Sequence, residues 1–304
     1  MLCSIPLLDV KPPNSSALAI DPHSLTDDEI VEYCQVYKSD RSHLLSPEEC
    51  GTKVIALTDS LVVKFGVGVR LQEARTQQFA HESISDTILR IPKVYRFFSR
   101  PESRWSSVGY LVMEKINGLN LQQLDNWNKP GIISRIATAL DALHSISSTT
   151  RPGPVSGGLA HGYLYAEKSS ETEFHNINDL ESYLNNRLAL FGRSVSLARQ
   201  ELCLCHMDVA PRNFMIDTNG QLYLIDWATA GFYPRYFELW SIQFASYCSS
   251  CQFGPALLQS LKTTTGDTEL ENLTLVYRFN MRHAAKAYDE QTEEIMAAIC
   301  DDDH

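Results

Sequence analysis

Two carboxylates and a carboxamide fall on a short fixed pitch in the stretch His206-Met207-Asp208-Val209-Ala210-Pro211-Arg212-Asn213 and the run Leu222-Tyr223-Leu224-Ile225-Asp226 that follows it. Moving a phosphoryl group asks little covalent chemistry of a protein. One carboxylate must orient an attacking hydroxyl, and oxygen ligands must hold magnesium against the phosphates. Asp208 suits the first task, and Asn213 and Asp226 suit the second. Taken singly, Asp and Asn are ordinary turn formers between strands. Their joint spacing, with an apolar strand on either side, favours the chemical reading over the turn.

The pattern H-x-D-x-x-x-x-N followed by a strand ending in Asp resembles the catalytic and metal loops of the kinase-like phosphotransferases. Where protein kinases carry Asp-Phe-Gly this chain has Asp226-Trp227, which resembles the aminoglycoside phosphotransferase and choline kinase family. The run Asp208-x-x-Pro211-Arg212-Asn213, with Asp226-Trp227-x-x-Ala230-Gly231-Phe232-Tyr233-Pro234-x-Tyr236-Phe237-Glu238, looks like an uncharacterised branch of that family common in fungi. The stretch from Gly157-Gly158 through Gly162-Tyr163-Leu164 to Asn185-x-Arg187-Leu188 looks like the same branch.

That resemblance implies an α+β, protein-kinase-like fold in two lobes, a small β-rich N-lobe and a larger, mainly α C-lobe. It divides the chain into 1–114, an N-terminal arm with the nucleotide-binding lobe, and 115–304, the hinge and helical lobe with the catalytic and metal loops. ATP and Mg2+ are the implied cofactors, and the implied reaction is transfer to a hydroxyl of a small molecule, a secondary metabolite or an amine. The alternative is a kinase fold with weak or lost phosphotransfer, acting as a binding protein or in another metabolic step. In such folds a strand lysine paired with a helix glutamate holds the α- and β-phosphates, which assigns those roles to Lys64 and Glu73. The hinge then falls at Met113-Glu114-Lys115-Ile116, with the Glu114 carbonyl and the Ile116 amide reading adenine and Met113 backing the base. Left to itself the sequence also fits a lysine turned to solvent and a plain edge strand ending at Gly118. His206 is expected to hold its loop by hydrogen bonds, and Arg212 either braces Asp208 or forms a surface pair.

Three departures from the family pattern bear on the reading. Met207 stands where many relatives have glycine between the loop His and Asp, which predicts a narrower entrance. The stretch Pro47 to Thr52 holds one glycine, Gly51, so fewer backbone amides are free to turn toward phosphate. No glycine follows Trp227 where a protein kinase would have one, which argues for a small-molecule acceptor over a protein.

These residues need elements to carry them. Thr26-x-x-Glu29 is a capping box, and Ile30, Cys34 and Tyr37 recur behind it at helical spacing. Lys53 to Leu57 and Leu61 to Phe65 read as a hairpin across Thr58-Asp59-Ser60, Val69 to His81 as a helix, and Ile91 to Phe98 as a strand. Ile132, Ile136, Leu140 and Leu143 make one face of a helix ending at His144. Arg151 to Gly162, rich in Gly and Pro, reads as loop. Helices are expected over Asp179–Leu190, Tyr236–Tyr247, Pro255–Leu261, Leu270–Tyr288 and Glu293–Cys300, and an irregular arm over residues 1–23.

At 304 residues the chain is long enough for two lobes, and 26 Lys+Arg against 37 Asp+Glu, a net charge of −11, leave no broad basic face for nucleic acid. The N-terminus, interrupted by Pro6 and Asp9, makes a poor signal peptide, and no apolar run is long enough for a membrane span, so a soluble cytoplasmic protein is expected. The eight cysteines are scattered, and core packing accounts for both Cys203-x-Cys205-His206 and Cys248-x-x-Cys251 better than a zinc site does. From Asp267 onward ten acidic residues face three basic ones, which reads as solvated helix faces and a frayed tail; a pocket for a cationic substrate is the sharper alternative.

Overall fold

The computed structural model describes residues 25–36, 44–46, 51–104, 106–124, 130–149, 151–165, 169–249, 252–261 and 266–282. The N-terminal arm, the stretch Pro47 to Cys50, Cys251 and the helix expected over Glu293–Cys300 lie outside them.

The capping box forms as its sequence dictates. The Thr26 amide donates to Glu29 Oε2 at 2.7 Å and the Glu29 amide to Thr26 Oγ1 at 3.2 Å, opening helix α1 (Asp27–Val36). Its buried residues, Ile30 and Cys34, pack with Ile55, Val63, Tyr110 and Val112 on one face of a four-stranded antiparallel sheet. That sheet has the order β1 (Lys53–Ala56), β2 (Leu61–Gly66), β4 (Ser107–Glu114), β3 (Val94–Pro101). The β1–β2 turn is closed by Thr58, whose Oγ1 accepts from the amides of Ser60 and Leu61. The third strand starts later than its apolar pattern suggests. The Ile91 carbonyl is taken by His81 Nδ1 and the Pro92 carbonyl by Gln77 Nε2, so pairing begins at Val94.

Helix α2 (Leu71–Ser83) lies on the other face of this sheet, where Ala74 joins Val69 and Leu111. Its buried residues are Glu73, Ala74, Thr76, Gln77 and Ala80, three polar and two alanines. The far end of α2 belongs to the larger lobe. Ala80, Leu89 and Ile91 join that lobe's core, and Arg90 exchanges backbone hydrogen bonds with Leu222 and Leu224 (2.8 and 3.1 Å).

Beyond Glu114 the chain runs three residues before β5 (Gly118–Asn120), which pairs with β10 (Phe214–Asp217) and through it with β11 (Leu222–Leu224). A Cβ on Gly118 would lie 2.3 Å from the Ile216 carbonyl oxygen, so glycine is required where β5 meets β10. Helix α3 (Pro130–His144) buries Ile136, Leu140 and Leu143 as its period predicts, but at its start Ile133 is buried and Ile132, expected on that face, is only partly covered. A third sheet has the order β12 (Gly231–Pro234), β9 (Leu202–Cys205), β6 (Ser147–Ser148).

The segment expected to be loop up to Gly162 contains a strand, β7 (Leu159–His161), paired with β8 (Ser169–Glu173). The glycines that argued against it, Gly157, Gly158 and Gly162, all have positive φ and turn the chain at either end of the strand. Helix α4 (Ile177–Leu188) starts two residues early because Asn176 and Asp179 cap it reciprocally. Helices α5 (Arg235–Ser249) and α6 (Phe253–Ser260) and the helical stretch 267–282 complete the lobe. In α6, Pro255 sits in the first turn, where its missing N–H costs nothing.

Candidate active site

Strand β9 is buried along its whole length, and directly after it the chain turns sharply. His206 and Met207 present their consecutive amides to one carboxylate, Glu238, at 2.6 Å (Oε2) and 2.7 Å (Oε1). Glu238 lies in the first turn of α5 and is fully buried. Burial alone would raise its pKa, but His144, His206 and the His206 amide together hold it below the ordinary carboxylate range. His206 Nε2 lies 3.0 Å from the Ile225 carbonyl oxygen, the ring meets Trp227 edge-on at 5.0 Å, and its own carbonyl accepts from Thr229 Oγ1 at 3.0 Å. It is a scaffold residue tying the first loop to the second.

Met207 has φ of +66°, the left-handed region that only glycine enters without strain, which is the physical reason for a glycine at this point of the loop. Its side chain does not narrow the entrance. It is 4% exposed and packed among Tyr165, Tyr233 and Phe237 in a buried cluster.

Asp208 follows, its carboxylate surrounded by donors. Asn213, at the end of the 3-10 turn Pro211–Asn213, gives its Nδ2 to the Asp208 carbonyl at 2.8 Å and to Oδ2 at 2.9 Å. Arg212 Nη2 donates to both Oδ1 (2.6 Å) and Oδ2 (2.7 Å), and to the Tyr163 hydroxyl at 3.1 Å. The Tyr163 hydroxyl in turn donates to Asp208 Oδ1 at 3.3 Å. Burial, and after it the Asp208 charge, hold the Tyr163 phenol above its ordinary range, so it remains a donor. Of the two roles open to Arg212 in the sequence, the structure selects the brace.

The second cluster is built from three distant segments. Lys64, 8% exposed on β2, places Nζ 2.5 Å from Glu73 Oε1 on α2 and 2.8 Å from Asp226 Oδ1. Burial alone would lower the lysine's pKa; Glu73, then Asp226, outweigh it and hold it above its ordinary value. Lys64 in turn keeps the Asp226 carboxyl below its ordinary value. Asp226 has φ of +68°, a strained bend just past β11 that turns its side chain, 43% exposed, toward the lysine. The clusters are joined through backbone, since the Ile225 amide beside Asp226 donates to the Asn213 carbonyl at 2.9 Å.

Of the remaining expected site residues, Met113 pairs across the sheet with Val62, two residues from Lys64 and on its face, and its Sδ accepts from Gln77 Nε2 at 3.4 Å. Glu114 ends β4 with its amide on the Lys93 carbonyl at 2.9 Å, and Ile116 lies in the three-residue link between the two sheets. Among the described residues, neither Glu114 nor Ile116 hydrogen-bonds Lys64, Asp208 or Asp226. Glu238 and Tyr163 took no role in the sequence reading beyond the motifs that contain them. Glu238 could have been suspected as a lone acid inside Tyr236-Phe237-Glu238-Leu239-Trp240, while Tyr163 carries no such signal.

The donor set suits a hard cation. Asn213 spends its nitrogen on Asp208, which leaves the amide oxygen as its ligand atom, and Asp226 adds a half-exposed carboxylate. All-oxygen donors of this kind match magnesium and not a soft metal. Among the described residues no helix is long and apolar enough to cross a membrane.

The profile of the phosphotransferase enzyme family matches residues 58–272 of the 304. No curated protein matches the chain in sequence. Among solved structures, a thermostable mutant of aminoglycoside phosphotransferase APH(4)-Ia in its apo form is 17% identical, with 81% of this chain and 88% of that one covered and a TM-score of 0.53. A variant of that mutant in ternary complex with AMP-PNP and hygromycin B is also 17% identical, covers 81% and 87%, and has a TM-score of 0.51. A choline kinase from Streptococcus pneumoniae is 16% identical over 88% and 92%, with a TM-score of 0.46. The two APH(4)-Ia likenesses are of fold, a two-lobed, protein-kinase-like arrangement.

Proposed function

The chain belongs to the phosphotransferase enzyme family, and from that membership we propose that it transfers the γ-phosphoryl group of ATP, with Mg2+, to a hydroxyl of a small molecule. One observation carries this reading: Lys64 Nζ stands between Glu73 and Asp226, residues brought from α2 and from just past β11 to a single ammonium. A buried lysine held by two carboxylates is positioned to offset phosphate charge. Asp208 orients the acceptor hydroxyl, and Asn213 and Asp226 would hold magnesium, which would supply charge to offset that of the phosphates. The adenine would lie against Met113 and the backbone of Glu114 and Ile116. The nucleotide lobe ends at residue 114, a division supported by β4 ending there and β5 joining the sheet that carries the metal loop. Buried free thiols at Cys34, Cys203 and Cys205 support a reducing, cytoplasmic setting. AMP-PNP and hygromycin B held together by the solved APH(4)-Ia variant support a cleft that takes a nucleotide and a small-molecule acceptor.

The Arg212 contacts on both oxygens of Asp208 favour one competing reading, a nucleotide-binding fold that no longer transfers phosphate. Thermal unfolding with ATP, Mg2+ and both together tests the first step. The pair should raise the melting temperature more than either alone, and Asp226→Ala should remove the magnesium-dependent part. An unchanged shift in Asp226→Ala would sink the metal assignment. Nucleotide binding without turnover over a broad panel of hydroxylated acceptors would favour the competing reading.

A further inference from the structure

Between α5 and the helical stretch 267–282 lies a cavity of about 770 Å3, large enough for a drug-sized molecule. Its walls are aromatic: Trp240 and Phe244 stack at 5.1 Å and 20°, and Tyr277 meets Phe244 edge-on at 4.6 Å. The charged groups lining it cancel, Asp267 and Glu271 against Arg193 and Arg278. Arg193 and Glu271 are already paired at 3.0 Å. Asp267 and Arg278 stand eleven positions apart on one helical stretch, roughly 16 Å along its axis, so they flank the aromatic wall at opposite ends.

The cavity adjoins the catalytic loop through one side chain. The Tyr163 ring rests on Phe244 at 5.3 Å, while its hydroxyl donates to Asp208 Oδ1. Tyr163 thus touches both the aromatic wall of the cavity and the catalytic carboxylate.

We propose that this cavity is the acceptor site and that the acceptor is a planar, ring-bearing, uncharged hydroxyl compound rather than a polycation. The inference rests on the phosphotransferase reading above. Among the described lining residues a cationic acceptor meets two guanidinium groups as well as two carboxylates, whereas a flat ring system meets the aromatic side chains of Phe244 and Tyr277. In the transfer, the acceptor oxygen bonds to the γ-phosphorus and the bond from that phosphorus to the β-phosphate oxygen breaks. ADP leaves, and the hydroxyl proton passes by way of Asp208 to solvent.

The test is a binding titration of the full chain with umbelliferone, a fluorescent planar phenol, at mildly acidic pH, with kanamycin and choline as competitors. Saturable binding that neither competitor displaces, weakened about tenfold by Phe244→Ala, is expected. If that variant does not fold, Phe244→Leu keeps the volume and removes the ring face, with the same expectation. Absence of binding, displacement by kanamycin or choline, or indifference to the Phe244 change would overturn the proposal. The ATP–magnesium thermal shift does not involve Phe244, so failure here and failure of the phosphotransferase reading are told apart by the two measurements.

Discussion

A single guanidinium nitrogen of Arg212 covers both carboxylate oxygens of Asp208, at 2.6 and 2.7 Å, and so fixes the plane of the group proposed to meet the acceptor hydroxyl. The Arg212 side chain is 45% exposed and that of Asp208 13%, so the pair orients more than it stabilises.

Arg212→Ala should therefore change stability by under about 1 kcal/mol. Turnover should fall about tenfold, with a smaller change in the Michaelis constant for ATP. Asp208→Asn should leave folding and nucleotide binding intact and lower turnover by roughly a thousandfold or more. Steady-state kinetics beside chemical denaturation checks both, and a fully active Asp208→Asn would remove that residue from the mechanism.

Lys64→Met leaves Glu73 buried without its cation, at a cost of about 3–5 kcal/mol. Adding Glu73→Gln removes the stranded charge and should restore more than half of the loss. A double-mutant cycle in urea measures the coupling, and additive losses would show that the two side chains do not depend on one another.

Two effects oppose each other at Met207. Replacing it with glycine relieves the left-handed backbone by about 1 kcal/mol. It also deletes a side chain packed in the core, which costs about 2–5 kcal/mol. The second is larger, so Met207→Gly should be destabilising, and a rise in melting temperature would show that the packing is weaker than its burial implies.

Stability should fall at both ends of the pH scale. Lys64 and the groups around Glu238 hold the Asp226 and Glu238 carboxyls below the ordinary value near 4. Their contribution is present above that value and lost as pH falls through the lower folded-state values. Burial raises the phenols of Tyr165, Tyr183 and Tyr233, that of Tyr183 to about 12. Their contribution is complete below the unfolded value of about 10 and lost as pH rises from there toward the folded values. Denaturation midpoints across pH should show a plateau with these two shoulders, and Tyr183→Phe should shrink the alkaline one.

What the sequence made legible was chemistry written locally. Asp208, Asn213 and Asp226 lie within nineteen positions, and spacing alone suggested their role. Lys64 and Glu73 needed a family resemblance, because nothing in Val62-Val63-Lys64-Phe65 distinguishes a buried lysine from one turned to solvent. The inner face of α2 was illegible for a physical reason. Glu73, Thr76 and Gln77 are buried for polar contacts, the last two with the Val155 amide and the Pro92 carbonyl, so only two alanines mark the face on which the helix packs. Glu238 was missed likewise, since the two amides that fix its role lie some thirty residues upstream. The β7 strand was hidden because its flanking glycines, read as loop, are the turns that bound it.

The helix that carries Glu73 touches both lobes. The helix bearing Glu73 is rooted at its far end in the larger lobe, through Ala80, Leu89 and the Arg90 backbone on β11, while Lys64 belongs to the sheet of the smaller one. Since Ala74 and Gln77 also hold that helix to the small sheet, at Leu111 and the Met113 sulfur, a rotation between the lobes loads the helix at both ends and with it the Lys64–Glu73 pair. The ion pair is thus a gauge of interlobe angle, and a spectroscopic label spanning β2 and α2 would read how far the cleft opens during each turnover.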